Sequence, residues 1–234
     1  MEIEKDEPSA QEKLSKIDKQ LYWIFGIMVL VIAIFLVRVY WAEDTGVIKY
    51  DGITFQKQML GEIPLYQFAY STNKIAMVSG RAVATSSKAT VNMYLRNNPL
   101  DLRDIPVEGG KIEYLPVDKK IYIVLSASPD LLCDYGPIAM GQLSSFLNQN
   151  GFKMGVGISD EDKAKEQNMD YVTCEEYQDN MVLSFEAGSE TKIIRNGNCY
   201  TLMVSDCRIL PVAEKFIVQT LVDAKEEATS ETIS

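Results

Sequence analysis

The 234-residue sequence contains no histidine, and this absence excludes several kinds of chemistry at once. It rules out Ser-His-Asp and Cys-His catalysis, a histidine general base and a histidine-ligated metal site. Basic residues are also few, with 23 lysines and arginines against 33 acidic residues and a net charge of −10. Because a nucleic-acid interface needs a basic face, we expect no nucleic-acid partner.

Several short motifs are missing as well. The four cysteines form no CxxC pair, which argues against a zinc site and against dithiol redox chemistry. The sequence has no N-x-S/T acceptor for N-glycosylation, no internal repeat and no low-complexity block. We therefore predict no metal and no cofactor.

One long hydrophobic run lies near the N-terminus. Leu21–Ala42 has no charge before Arg38, and its length matches the hydrocarbon thickness of a bilayer. Aromatic residues mark the two expected membrane interfaces, and Arg38 can extend its charge outward. These interface residues are Tyr22, Trp23, Arg38, Tyr40 and Trp41. The run predicts a transmembrane helix that begins near Ala10.

The same run does not resemble a cleaved signal peptide. It is longer than a usual signal h-region, and twenty residues precede it. Cleavage after Ala42 would also place Tyr40 where a small residue is required. We predict an uncleaved, single-pass anchor.

The cysteines indicate on which side of the membrane the main domain lies. All four follow the hydrophobic run, and an even set in an exported domain predicts two disulfides. We favour Cys133–Cys174 with Cys199–Cys207, although the spacing allows three pairings. Four free thiols in a cytosolic domain are the alternative. The interpretation with two disulfides places the N-terminus in the cytoplasm and the domain outside.

The chain after the anchor changes its hydrophobic period near Lys120. Before it, alternating segments such as Val91–Arg96 predict a β-rich meander. After it, the continuous apolar run Ile121–Leu125 predicts a strand buried on both faces. A helix ending at Asn150-Gly151 and a strand over Phe152–Ile158 follow, which together predict a parallel βαβ unit.

The C-terminal part carries a strong hairpin signal. Asn196-Gly197 lies between two strand-like segments, and an amphipathic helix is predicted over Leu210–Lys225. The fold class is therefore α/β, with α+β as an alternative, and has one mixed sheet around the βαβ core. The predicted organisation is a polar, partly helical tail (1–20), a transmembrane helix (21–42), a single extracytoplasmic α/β domain (43–225) and a disordered tail (226–234).

Two motifs suggest chemistry, each with a structural alternative. Ser71 and Lys74 match S-x-x-K, the arrangement in which a lysine activates a serine without histidine, but no supporting motif accompanies them. Gly155 and Gly157 precede Asp160, which stands where a dinucleotide loop requires glycine. We interpret these two glycines as packing positions, where a helix can approach the strand.

The sequence thus favours a membrane-anchored binding or assembly module over an enzyme. Its expected partners are the lipid bilayer and either membrane proteins or further copies of the chain. An anchored hydrolase using Ser71 and Lys74 is one alternative, and a membrane-tethered cytosolic regulator with free thiols is the other.

Overall fold

A computed structural model gives the fold of residues 10–42, 46–78, 81–113, 119–126, 128, 131 and 133–231. Within those ranges it describes the side chains of residues 21–37, 46–74, 83 and 85–230. The chain divides into two compact units, Met1–Gly46 and Val47–Ser234.

The first unit contains one helix, α1 (Ala10–Ala42), which begins where the sequence predicts. Each described side chain from Leu21 to Val37 is exposed, with Tyr22 at 81% and Trp23 at 75%. Within the described residues, however, no helix has the length and apolar character needed to cross a membrane. The predicted transmembrane span is therefore unsupported. The side chains of Arg38, Tyr40 and Trp41 lie outside the described part.

The second unit opens with an antiparallel four-stranded sheet. Its strands are β1 (Val47–Tyr50), β2 (Ile53–Leu60), β3 (Ile63–Val78) and β4 (Arg81–Leu95), and they pair in chain order. The predicted period-2 face is confirmed, because Met93 and Leu95 are buried while Asn92 and Tyr94 are exposed. The β3–β4 hairpin is much longer than the sequence predicts. It ends before a 3₁₀ helix at Pro99–Asp104.

A second, seven-stranded sheet follows. Its strands are β5 (Val107–Glu108), β6 (Lys120–Leu125), β7 (Lys153–Ile158), β8 (Asp170–Tyr171), β9 (Met181–Ala187), β10 (Lys192–Asn196) and β11 (Cys199–Val204). They are arranged in the order β5-β10-β11-β9-β6-β7-β8, and β10 runs antiparallel to β11. The α/β class is confirmed, but the described residues form two sheets where we predict one.

Three helices complete the second unit: α2 (Gly136–Gln149), α3 (Glu161–Gln167) and α4 (Ile209–Glu231). The β6–α2–β7 unit is parallel, as predicted. The hairpin is also confirmed, although its two-residue loop is Gly197-Asn198, one position later than predicted. Helix α4 continues six residues beyond its predicted end at Lys225, into the segment predicted to be disordered.

The two faces of the seven-stranded sheet are unequal. On the broad face, alternate residues such as Ile121, Leu183 and Leu202 join one large core with the helices α2 and α4 and the four-stranded sheet. On the narrow face, the intervening residues form a small cluster. That cluster consists of Tyr122, Val124, Val172, Val182 and Cys199, with Cys174 and Tyr177 packed against it.

Each face carries one disulfide, and the predicted pairing is wrong. Cys133 bonds to Cys207 and Cys174 bonds to Cys199, so none of the four cysteines is free. The reason is strand alternation. Cys199 faces the narrow side with Cys174, whereas Cys133 belongs to the core of the broad side. The free thiols of the cytosolic alternative are not present.

Candidate functional site

A groove of about 860 Å³ lies in the second unit. It lies between the β3–β4 hairpin and the chain that leaves α2. Its lining residues are Thr72, Asn73 and Lys74 of β3, Ala89 and Val91 of β4, and Asn148, Gln149, Gly151, Phe152, Lys153 and Met154. The lining thus includes both polar and apolar side chains, which suits a ligand with both kinds of surface.

A buried amide fixes the hairpin to the end of α2. Asn150 caps the helix, and its Nδ2 donates to the Phe146 carbonyl at 2.8 Å and to the Tyr70 hydroxyl at 2.9 Å. The rings of Tyr70 and Phe146 also pack, with centroids 6.0 Å apart. Gly151 follows in the left-handed region at φ 83°, which glycine adopts without strain. These contacts hold the two walls of the groove together.

Burial affects the hydroxyl at this junction. It raises the pKa of Tyr70, and the hydrogen bond from Asn150 offsets part of that rise. Tyr70 therefore stays protonated and neutral over the physiological range.

The charges in the groove are of one sign. Among the described lining residues, Lys74 and Lys153 are charged and none is a carboxylate. Neither lysine forms an ion pair with a described residue. In a chain of net charge −10, the described lining of the groove thus carries two positive charges and no negative one.

Ser71 and Lys74 do not form a dyad in the described structure. Both lie on β3 and both are exposed. No hydrogen bond joins their side chains among the described contacts, and the Lys74 carbonyl accepts from the Thr85 hydroxyl at 2.9 Å. A lysine base needs a buried setting and direct reach to its serine. The geometry gives the hydrolase hypothesis no support.

Metal chemistry also lacks a described site. Within the described ranges, no group of three acidic or cysteine side chains is placed to hold a metal ion.

The end of β4 is held by two side chains that the sequence analysis does not identify. Glu214 of α4 is fully buried, and its carboxylate accepts from the Arg96 amide at 2.6 Å and from the Asn97 amide at 3.0 Å. It also accepts from Asn97 Nδ2 at 2.7 Å. On α2, Gln142 Nε2 donates to the Tyr94 carbonyl at 3.1 Å.

Burial raises the pKa of Glu214 above its ordinary value of 4.5, and the hydrogen bonds from Arg96 and Asn97 lower it by a smaller amount. A signal for this buried group exists in the sequence. Glu214 follows Leu210 by four residues and precedes Ile217 by three, which places it on the apolar face of the helix.

A second depression, of about 350 Å³, lies on the narrow face beside Cys174–Cys199. Two of the side-chain amides that line it already form hydrogen bonds with the backbone. Asn180 Oδ1 accepts from the Lys120 amide at 3.2 Å, and Asn198 Nδ2 donates to the Gln178 carbonyl at 3.0 Å. The groove beside the β3–β4 hairpin, whose two lysines form no ion pair with a described residue, is therefore the better candidate.

Comparison with known proteins adds no relative. No protein-family model matches the chain, and no curated protein or solved structure shows significant similarity to it.

Proposed function

We propose that this chain is a membrane-attached binding module whose second unit lies on the extracytoplasmic side and whose N-terminus is cytoplasmic. The observation that carries the proposal is the pairing of all four cysteines in two disulfides. Structural disulfides persist in oxidising compartments and are rare in the cytosol of most organisms. An extracytoplasmic domain therefore explains the pairing directly.

The exposed apolar surface of α1 supports attachment to a membrane. Between Leu21 and Val37, the large apolar side chains are 48–81% exposed. A continuous apolar surface of this kind requires a non-aqueous cover. We propose that lipid provides this cover, and that membrane proteins or further copies of the chain associate with α1 within the membrane.

The groove supports binding rather than catalysis. Its two lysines have no described ion-pair partner and are not placed against a nucleophile. A lining of mixed polar and apolar side chains allows recognition without bond making or breaking. The module therefore acts by holding a partner at this groove.

Paired labelling of two new cysteines tests the orientation. Ser9→Cys and Ser230→Cys add one thiol on each side of α1, and intact cells are treated with a maleimide that cannot cross membranes. The proposal predicts that only the Ser230→Cys variant is labelled before permeabilisation and that both are labelled afterwards.

Two further readouts use the same cells. The original four cysteines should resist alkylation of the denatured chain until a reductant is added, and the chain should stay in the membrane fraction after alkaline carbonate washing. Labelling of Ser9→Cys alone would reverse the orientation. Release into the wash would overturn the membrane attachment.

A further inference from the structure

Along β4, the backbone N–H and C=O groups of every second residue point away from β3. The Tyr94 carbonyl accepts from Gln142, and the Arg96 amide donates to Glu214, so both residues direct their backbone groups outward. In an antiparallel pair this direction repeats at every second residue. The pairing with β3 is regular from Asn73–Lys88 to Tyr66–Leu95. The residues whose backbone groups point away from β3 therefore include Asn92, Thr90 and Lys88.

The backbone groups of these three residues form a free sheet edge. β4 is the last strand of its sheet, and no described hydrogen bond reaches the outward amides or carbonyls of Lys88, Thr90 and Asn92. A free edge of this kind is a template for another extended chain. Farther along β4, the side chains of α2 and α4 already occupy the edge.

The free edge adjoins the groove. A depression of about 340 Å³ lies between α2 and β4 and is lined by Gln142, Ser145, Asn92 and Tyr94. Gln149 lines both this depression and the larger groove. A helix on one side and an unpaired strand edge on the other are the two walls that a peptide uses when it adds a strand to a sheet.

We propose that the free edge of β4 from Lys88 to Asn92 accepts an extended, acidic segment of a partner protein as an added strand, with its carboxylates against Lys74 and Lys153. This inference rests on the proposed function and names the partner's chemistry. Main-chain hydrogen bonds supply the attachment, and the two unpaired lysines select for acidic side chains.

A capped peptide of alternating glutamate and threonine, about eight residues long, is the probe, since this is within the usual strand length. A peptide in which lysine replaces glutamate is its matched control. Binding to the detergent-solubilised full chain is measured by titration calorimetry. The glutamate peptide should bind at least about tenfold more tightly than the lysine peptide, and added salt should weaken it.

Two substitutions at one position test the main-chain contact. Thr90→Pro removes an outward amide while leaving the pairing with β3 intact, whereas Thr90→Val keeps that amide. We expect Thr90→Pro to weaken binding about tenfold and Thr90→Val to leave it unchanged.

Amide hydrogen exchange on the unaltered chain gives an independent result if Thr90→Pro fails to fold. The glutamate peptide should slow exchange at Lys88, Thr90 and Asn92 and leave Ala89 and Val91, which already face β3, unchanged. Equal binding of the two peptides, no binding of either, or protection elsewhere would overturn the added strand. None of these outcomes affects the cysteine labelling. The proposed membrane attachment and orientation are therefore tested independently of the added strand.

Discussion

The two faces of the seven-stranded sheet are stabilised in different ways. The broad face buries a continuous apolar core against α2, α4 and the four-stranded sheet. The narrow face buries only a small cluster, closed by Cys174–Cys199 and covered by the short chain around Tyr177. The contrast shows that the two faces of one sheet can be stabilised differently. One face relies on the burial of apolar side chains, and the other relies on a disulfide and on close backbone approach.

The broad face also uses buried polar groups of α4 to connect distant segments. Glu214 holds the end of β4, and Lys215 Nζ donates to the Tyr50 hydroxyl of β1 at 2.8 Å. Asp223 accepts from the Ile112 amide at 2.7 Å. Glu214 satisfies part-buried partners, whereas Lys215 and Asp223 satisfy buried ones, so removing any of the three leaves a polar atom without its partner inside the protein.

Removing each disulfide gives the largest expected effects. Cys133–Cys207 closes a loop of 74 residues and Cys174–Cys199 a loop of 25. On loop entropy alone, replacing both partners by alanine should lower the free energy of unfolding by about 4.5 kcal/mol for the first pair and about 3.5 kcal/mol for the second. Urea unfolding of the full chain in detergent measures both.

The order of the two losses tests the comparison of the faces. A larger loss for the Cys174–Cys199 pair would mean that the narrow face needs its bond for packing as well as for loop closure. Equal losses would contradict the dependence on loop length.

Glu214→Gln is expected to have the next largest effect. A glutamine side chain can accept at only one of its two terminal atoms, so at least one of the donors from Arg96 and Asn97 loses its partner. The loss should be about 2 kcal/mol. Glu226→Gln is the control, because that carboxylate forms an exposed ion pair with Lys111.

The effect of Glu214→Gln should also depend on pH. Burial raises the pKa of Glu214 in the folded state, so the folded chain binds more protons than the unfolded chain above pH 4.5. The contribution of this group is complete below that pH and is lost as the pH rises through the folded pKa. The difference between the original chain and the variant should therefore be larger at pH 4.5 than at pH 8. The opposite trend would show that Glu214 is stabilised as a carboxylate.

The sequence predicts those elements of the fold that follow from the local spacing of apolar residues and from local turn signals. The apolar run Ile121–Leu125 becomes a strand with parallel neighbours on both sides, and the Asn-Gly signal becomes the β10–β11 hairpin. Both depend on residues close together in the chain.

The disulfides and the groove depend on information that is not local. The pairing requires knowing which face each cysteine occupies, and Cys199 takes the narrow face only because of the register of β11 beside β9. The S-x-x-K pattern draws attention to Lys74 together with Ser71, which lies on the same strand. The groove instead places Lys74 together with Lys153, a lining residue 79 positions away in the chain. Such a juxtaposition exists only in the tertiary structure.

A glycine of the narrow face gives an expected effect similar in size to that of Glu214→Gln, and its matched change gives the smallest. The sequence predicts that Gly157 allows a helix to approach, but the space at its Cα is filled by Val172, which is fully buried and follows β8. A Cβ at this position would overlap the Val172 side chain and approach the Asp170 carbonyl at 3.0 Å. Gly157→Ala should therefore lower the free energy of unfolding by about 2 kcal/mol, since a packed side chain must move.

Gly141→Ala is the matched change elsewhere in the unit. Gly141 lies inside α2, and a Cβ there meets nothing within 4 Å. Alanine at this position should raise stability by about 0.5–1 kcal/mol, because it restricts the unfolded chain and favours the helix. Opposite signs for the two substitutions would confirm that the narrow face depends on close backbone approach. A stabilising Gly157→Ala would instead mean that Val172 can move freely, and the narrow face would then be held mainly by Cys174–Cys199.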